Sequence, residues 1–280
     1  MSAQGAAQPR YRGPAAIGDD LRRFWNLTYM LAATDFKLRF FGSALGYLWT
    51  LARPLLLFGT LYFVFTKIVK FGEGVRYYPV YLLSGIVLFT FFSETTSRGV
   101  TALIERENLL RKMRFPRMVI PLSVALHSLF NLGLNLIVVF IFIFASGITP
   151  TLDWVQIPLL IGMLVILATG ATMLLSALYV RFRDVEPIWE VALQLLFYGT
   201  PIIYVIERVP ESVRELVMFN PIASILTQWR HAVIDQDAPT AGTAIGGIEL
   251  LAVPVLISVA VLVLGWWVFM RETPRIAENL

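Results

Sequence analysis

Six stretches of this chain stay apolar for about as long as a bilayer demands, and most of the charge lies between them. A hydrocarbon core ~30 Å thick is crossed by about 20 helical residues. Runs of that order fall at 44–66, 78–97, 118–146, 155–180, 187–206 and 248–270. Glu94 and Glu190 interrupt the second and the fifth. Ahead of the first run, segment 20–41 mixes Leu21, Phe24, Trp25, Leu31 and Phe41 with Arg22, Arg23, Asp35, Lys37 and Arg39. That pattern predicts an amphipathic helix lying in the membrane interface. Residues 1–19 are polar and rich in Gly, Ala and Pro, with no apolar core of a signal peptide, and read as a flexible cytoplasmic terminus.

Between the fifth and sixth runs the pattern changes. Pro210 and Pro221 each stand where a helix can start without its first N–H, Asn220 is a good N-cap, and Ile222, Ile225, Leu226, Trp229 and Val233 form a stripe at helical spacing. Two helices over 210–219 and 221–234 are too short to span and are expected to be re-entrant or interfacial. The predicted fold is an all-α polytopic membrane protein: one domain over 20–280, with an N-terminal interface helix, six transmembrane helices and two short outer helices before the last span.

Composition agrees. Of the 280 residues, 57% are hydrophobic and 15% charged, with a mean hydropathy of +0.71. A chain of this size cannot bury so much apolar surface in its own core, which excludes a soluble enzyme, a disordered linker and a nucleic-acid module. Charge then sets orientation. With the N-terminus cytoplasmic, the inner segments hold sixteen Lys/Arg and the outer ones six, with Arg53 inside the first span. That asymmetry puts both termini inside. There is no cysteine, hence no disulfide or thiolate site.

Enzyme signatures are absent. The two histidines, His127 and His231, form no H-E-x-x-H, and neither a G-x-S-x-G nor a phosphate-binding G-x-x-x-x-G-K-[ST] occurs. His127 reads as a hydrogen-bonded packing residue, with a proton relay as the alternative. Asp235-Gln236-Asp237 has an acidic spacing, and reads as a solvated turn.

Three groups could carry function. Arg53, about nine residues into its span, is costly against lipid. It requires either a buried carboxylate, Glu94 or Glu190, or an anionic cargo. The stretch 101–115 places Glu105 and Glu107 early and Arg111, Lys112 and Arg114 late, matching a helix dipole, with Leu103, Leu110 and Met113 on one stripe. It suits either a solvated loop or a docking helix for a soluble partner. Arg181, Arg183 and Asp184 form a second inner knuckle. The aromatic residues in spans one, two and five suit lipid belts or a sugar-stacking lining.

Taken together and in order, several segments resemble the permease subunits of type-2 ATP-binding-cassette exporters, in their polysaccharide-export branch. They are Ser43-Ala-Leu-Gly-Tyr-Leu-Trp49 with Pro54, Leu83-Ser-Gly85, Asn108-Leu-Leu with Phe115-Pro-Arg117 and Pro121, Arg181-Phe-Arg-Asp184, Thr200-Pro-Ile-Ile-Tyr204, Asn220-Pro221, and Glu278 after Arg271. The likeness covers about 20–280. It implies a homodimer in a bacterial cytoplasmic membrane, with two separate ATP-binding-cassette subunits that hold ATP and magnesium. No cofactor would bind to this chain. The cargo would be a polyprenyl-pyrophosphate-linked glycan.

On that resemblance Glu105, Glu107, Leu110, Arg111, Lys112, Arg114, Arg181, Arg183 and Asp184 would dock the ATPase. Tyr47, Trp49, Arg53, Phe89, Phe92, Tyr198 and Tyr204 would line the channel. Arg53 departs from the pattern, where a neutral polar residue is expected before the proline. A lipid or drug cargo for the same machinery is the alternative reading, and a secondary transporter a more distant one, since no internal repeat or mid-depth charge cluster is evident.

Overall fold

The computed structural model describes residues 21–39, 46, 48–70, 72–107 and 116–279, with side chains through Glu272. Every regular element among them is helical. The helices are α1 (Leu21–Leu38), α2 (Leu48–Phe63), α3 (Tyr78–Glu105), α4 (Val119–Ala145), α5 (Ile157–Arg181), α6 (Val185–Gly199), α7 (Glu211–Met218), α8 (Pro221–Trp229), α9 (Ala241–Ile245) and α10 (Ala252–Asn279). A π turn extends α2 over Val64–Ile68 and another extends α8 over Arg230–Ile234.

Five helical stretches are long and apolar enough to cross a membrane: Leu48–Ile68, Tyr78–Glu105, Val119–Ala145, Leu152–Arg181 and Glu249–Glu272. The expected fifth span differs. Over 187–206 the structure has α6, whose 15 residues reach only ~22 Å at 1.5 Å each. Pro201 ends it, because the residue before a proline is driven out of the helical region, and Thr200 adopts extended geometry. The following non-helical stretch is almost entirely buried. Its carbonyls are met by two tyrosines of α3: the Tyr78 hydroxyl donates to Ile203 O at 2.8 Å, and the Tyr81 hydroxyl sits between the carbonyls of Pro201 and Tyr204. Irregular backbone at membrane depth survives only under such cover.

Helix α3 also exceeds expectation. It does not stop near 97 but runs unbroken to Glu105, so 101–105 continue the span and do not start a separate helix. Polar residues end a hydropathy window without ending a helix. Here Arg98 and Glu105 border a polar crevice, and Gly99 packs on Thr172 of α5, where a Cβ would lie 2.3 Å from the threonine methyl.

The bundle centres on α3, with nineteen buried residues, packed against α4, α5 and α6. Helix α10 lies along α5, and α2 along α3. Helix α1 rests on α4: Phe24, Thr28 and Ala32 are buried one turn apart, while Leu21, Trp25 and Tyr29 point outward. Helix α8 is capped as its sequence suggests, Asn220 Oδ1 accepting from Ile222 N at 3.0 Å, and is buried nearly throughout. Gly246, with φ +100°, supplies the left-handed residue that closes α9.

Candidate functional site

At the end of the bundle where α3 stops and α4 begins, the last turn of α1 and the residue after it contribute two charges spaced by four residues, Asp35 and Arg39. Both meet partners on distant elements. Asp35 pairs with Arg106, the residue that ends α3. Arg39 pairs with Glu94 inside α3. Glu94 also accepts from Asn131 Nδ2 at 3.0 Å and lies 3.9 Å from Arg98. His127 is buried beside them, its Nε2 3.5 Å from Arg39 Nη1 and 3.4 Å from Asn131 Nδ2, with Phe36 packed edge-on against its ring. It serves as a packed, hydrogen-bonding residue. Asp35, Arg39, Arg98, Glu105, Arg106 and His127 border a crevice of about 310 Å³.

This network bears on one of the alternatives for Arg53. Of the two carboxylates that could have met it, Glu94 is engaged by Arg39 and Arg98. Arg53 is exposed on α2, because the buried stripe of that helix is Thr50-Pro54-Phe58 and Arg53 lies off it, with Leu56 and Leu57. Glu190 is exposed too, on a helix that buries only Leu193. Among the described residues no ion pair joins Arg53 to either carboxylate.

The aromatic candidates divide. Trp49 and Tyr198 are 50% and 68% exposed, and Tyr204 is partly buried with its hydroxyl donating to Tyr198 O at 3.2 Å. Phe89 and Phe92 are corrected: both are buried, Phe89 packed against Phe197 and Phe92 against Trp189. Both lie on the face of α3 that α6 covers, so neither can line an open passage in this arrangement. Tyr47 lies outside the described residues.

Of the docking candidates, Glu105 is exposed and accepts from Thr101 Oγ1 at 2.7 Å, and Glu107 is partly buried. Leu110, Arg111, Lys112 and Arg114 lie outside the described residues. Arg181, Arg183 and Asp184 are exposed in the turn between α5 and α6, where the Arg181 and Arg183 guanidinium groups lie over the rings of Phe182 and Tyr179. Next to the candidate docking stretch, Arg117 is buried and its Nη1 has no hydrogen-bond partner among the described residues; burial pulls its pKa below the ordinary arginine value.

The opposite end carries a second network. Arg230 is buried, its Nη1 donating to both carboxylate oxygens of Glu207 at 2.8 Å, with its guanidinium over the Tyr81 ring. Asp235, expected in a solvated turn, is only 7% exposed, with Arg76 Nη1 at 3.7 Å. The turn itself is held by Gln236, which donates to Asp153 at 2.8 Å, and by His231 Nδ1 at 2.8 Å from Ala238 O.

The residues that sequence reading missed are those that pair: Arg106, Asn131 and Arg230, with Asp35 and Arg39 seen only as the polar side of an amphipathic helix. Their one local signal was the i, i+4 spacing of Asp35 and Arg39.

Known proteins supply the remaining comparison. The family model described as ABC-2 type transporter matches residues 26–233. The chain is 30% identical over 262 residues to an O-antigen export system permease protein, RfbA, of Klebsiella pneumoniae, covering 93% of this chain and 97% of that one. It is 28% identical over 263 residues to the O-antigen export system permease protein RfbA of Myxococcus xanthus, covering 93% and 98%. It is 23% identical over 202 residues to the polysialic acid transport protein KpsM of Escherichia coli, covering 71% and 78%.

Proposed function

Because this chain belongs to the ABC-2 type transporter membrane family, we propose that it is the permease subunit of a polysaccharide exporter, driven by ATP hydrolysis on a separate subunit. The observation that carries the cargo assignment is the likeness to O-antigen export permeases over 97–98% of their length. Such permeases need no catalytic site of their own, in keeping with the lack of a phosphate-binding loop in this sequence.

The unpaired surfaces support a working unit of two copies. Helices α2 and α6 bury few residues, yet carry Arg53, Glu190 and Gln194 among exposed apolar side chains. A charge facing lipid costs at least ~2.5–3.5 kcal/mol. Apposing these faces between two chains removes Arg53 from lipid and surrounds a passage with Trp49, Arg53 and Tyr198. Arg53 then offers a charge-assisted contact to the pyrophosphate that links a glycan to its polyprenyl carrier. The Lys/Arg asymmetry makes the face bearing Arg106, Arg117, Arg181 and Arg183 cytoplasmic, in a bacterial cytoplasmic membrane. There Glu105, Glu107 and the 181–184 turn are the described surfaces offered to a cassette subunit, which supplies ATP and magnesium. A push on the segment after Arg106 reaches α1 through the Arg106–Asp35 pair, and α1 leads into α2.

Deleting the gene from its host tests this reading. The expected result is loss of surface polysaccharide with lipid-linked glycan accumulating at the inner membrane. Normal surface glycan would refute it. The purified chain alone should hydrolyse no nucleotide. Arg53→Ala is expected to lower export about tenfold, the loss of one charge-assisted hydrogen bond, whereas Arg10→Ala leaves export unchanged. Equal export by the two variants would reduce Arg53 to filler.

A further inference from the structure

Helices α5 and α10 touch backbone to backbone at Gly170 and Gly265 and separate toward the α8–α9 end, where they enclose a bay of about 810 Å³. Its walls are apolar: Leu160 and Met163 from α5 face Leu251, Pro254 and Val255 at the start of α10. Ile225 of α8 lies behind, and α9 closes the end. Both walls belong to candidate membrane spans. The apolar lining continues onto the exposed surface through Leu159, Leu256 and Val259, so the bay opens into the layer those spans face.

Polarity is confined to the capped end, where it is internally satisfied. Gln228 Nε2 donates to Gln156 Oε1 at 2.7 Å, Ala241 N donates to Gln228 Oε1 at 2.9 Å, and Thr243 N donates to Thr240 Oγ1 at 3.1 Å. Among the described residues no Lys or Arg lines the bay, and the nearest acid is Glu249, whose carboxylate lies at the rim beside Gly247.

We infer that this bay is a binding site for one acyl chain of a bilayer phospholipid, its headgroup resting at the amide and hydroxyl rim. An apolar concavity this large cannot hold water favourably. In a membrane the medium at its mouth is hydrocarbon, so a chain enters without leaving an apolar solvent. A polyprenyl pyrophosphate does not fit: its headgroup needs cations, the rim has none, and the arginines near the Asp35–Arg106 pair lie at the other end of the bundle. The inference rests on membrane placement alone and not on the cargo.

The test is native mass spectrometry of the full chain in non-ionic detergent. The chain is offered dioleoylphosphatidylglycerol, dioleoylphosphatidylethanolamine or undecaprenyl phosphate separately. One phospholipid should be retained per chain, with either headgroup alike. Val255→Trp should weaken retention roughly tenfold, the equivalent of displacing about two methylenes, and Val263→Trp, exposed beyond the bay, should leave it unchanged. Met163→Trp, from the facing wall, gives the same reading if Val255→Trp does not fold. The inference is overturned by no retention above the detergent background, by an equal loss in Val263→Trp, or by undecaprenyl phosphate binding in preference to phospholipid.

Discussion

Replacing Glu94 by alanine should destabilise the folded chain by about 3 kcal/mol, the cost of removing the shared acceptor from a partly buried ion-pair network. The Glu94 side chain is 18% exposed and anchors three groups from three elements: Arg39 after α1, Asn131 on α4, and Arg98 one turn along α3. Without the carboxylate, two guanidinium groups face each other beside the His127 ring, with Asp35 already committed to Arg106. At ~2–4 °C per kcal/mol for a chain of this size, the thermal midpoint in detergent should fall by roughly 10 °C. Glu94→Gln should fall less, because an amide oxygen still accepts from Asn131. The double variant Arg39→Met with Glu94→Met should recover most of the loss, since a buried pair exchanged for apolar groups of similar size is often neutral. Glu215→Ala serves as the control, its carboxylate being exposed. If Glu94→Ala melts with the wild type, the network does not hold α1 in place.

Gly265→Ala is expected to be the most damaging single-methyl change in the bundle. A Cβ at Gly265 would lie 2.1 Å from the carbonyl oxygen of Gly170, and one at Gly170 would lie 2.5 Å from Cα of Leu262. Both obstacles are backbone, so no side chain can turn aside; α5 and α10 must move apart along a contact that depends on small residues. The loss should reach or exceed the ~1–3 kcal/mol usual for overpacked cores. Gly162→Ala, on the same α5 helix but with open space around the new methyl, should instead stabilise by about 0.5–1 kcal/mol through helix propensity. Protease resistance of the two variants in nanodiscs separates them; a Gly265→Ala chain as resistant as Gly162→Ala would mean that α5 and α10 do not close on one another.

Legibility in the sequence followed how local each feature is. Asn220 and Pro221 start α8 where their side-chain chemistry says they must, because a cap involves only its own turn. The end of α6 was written at Pro201 in the same local sense, but the apolar run 187–206 concealed it: a hydropathy window counts Pro201, Ile202 and Ile203 as membrane residues whether or not they are helical. The opposite error occurred in α3, where Ser97 and Arg98 closed the window and the helix went on for two more turns. Among the candidate lining residues, Trp49, Arg53 and Tyr198 are on exposed faces, while Phe89 and Phe92 carry the same aromatic signal as Trp49 and Tyr198 and are packed against α6.

Read alone, the amino-acid order defined a membrane-spanning helical bundle, the approximate place of each helix and the family to which it is akin. Each crossing must satisfy its backbone hydrogen bonds within itself, so run length and caps suffice to mark it. Only the folded bundle decided which faces meet. Arg39 finds Glu94 across 55 residues, Arg106 finds Asp35 across 71, Gly170 finds Gly265, and Asp235 is drawn under cover. Such pairings depend on how each helix is rotated about its axis and where it crosses its neighbours, and lateral packing sets both after the individual helices are defined.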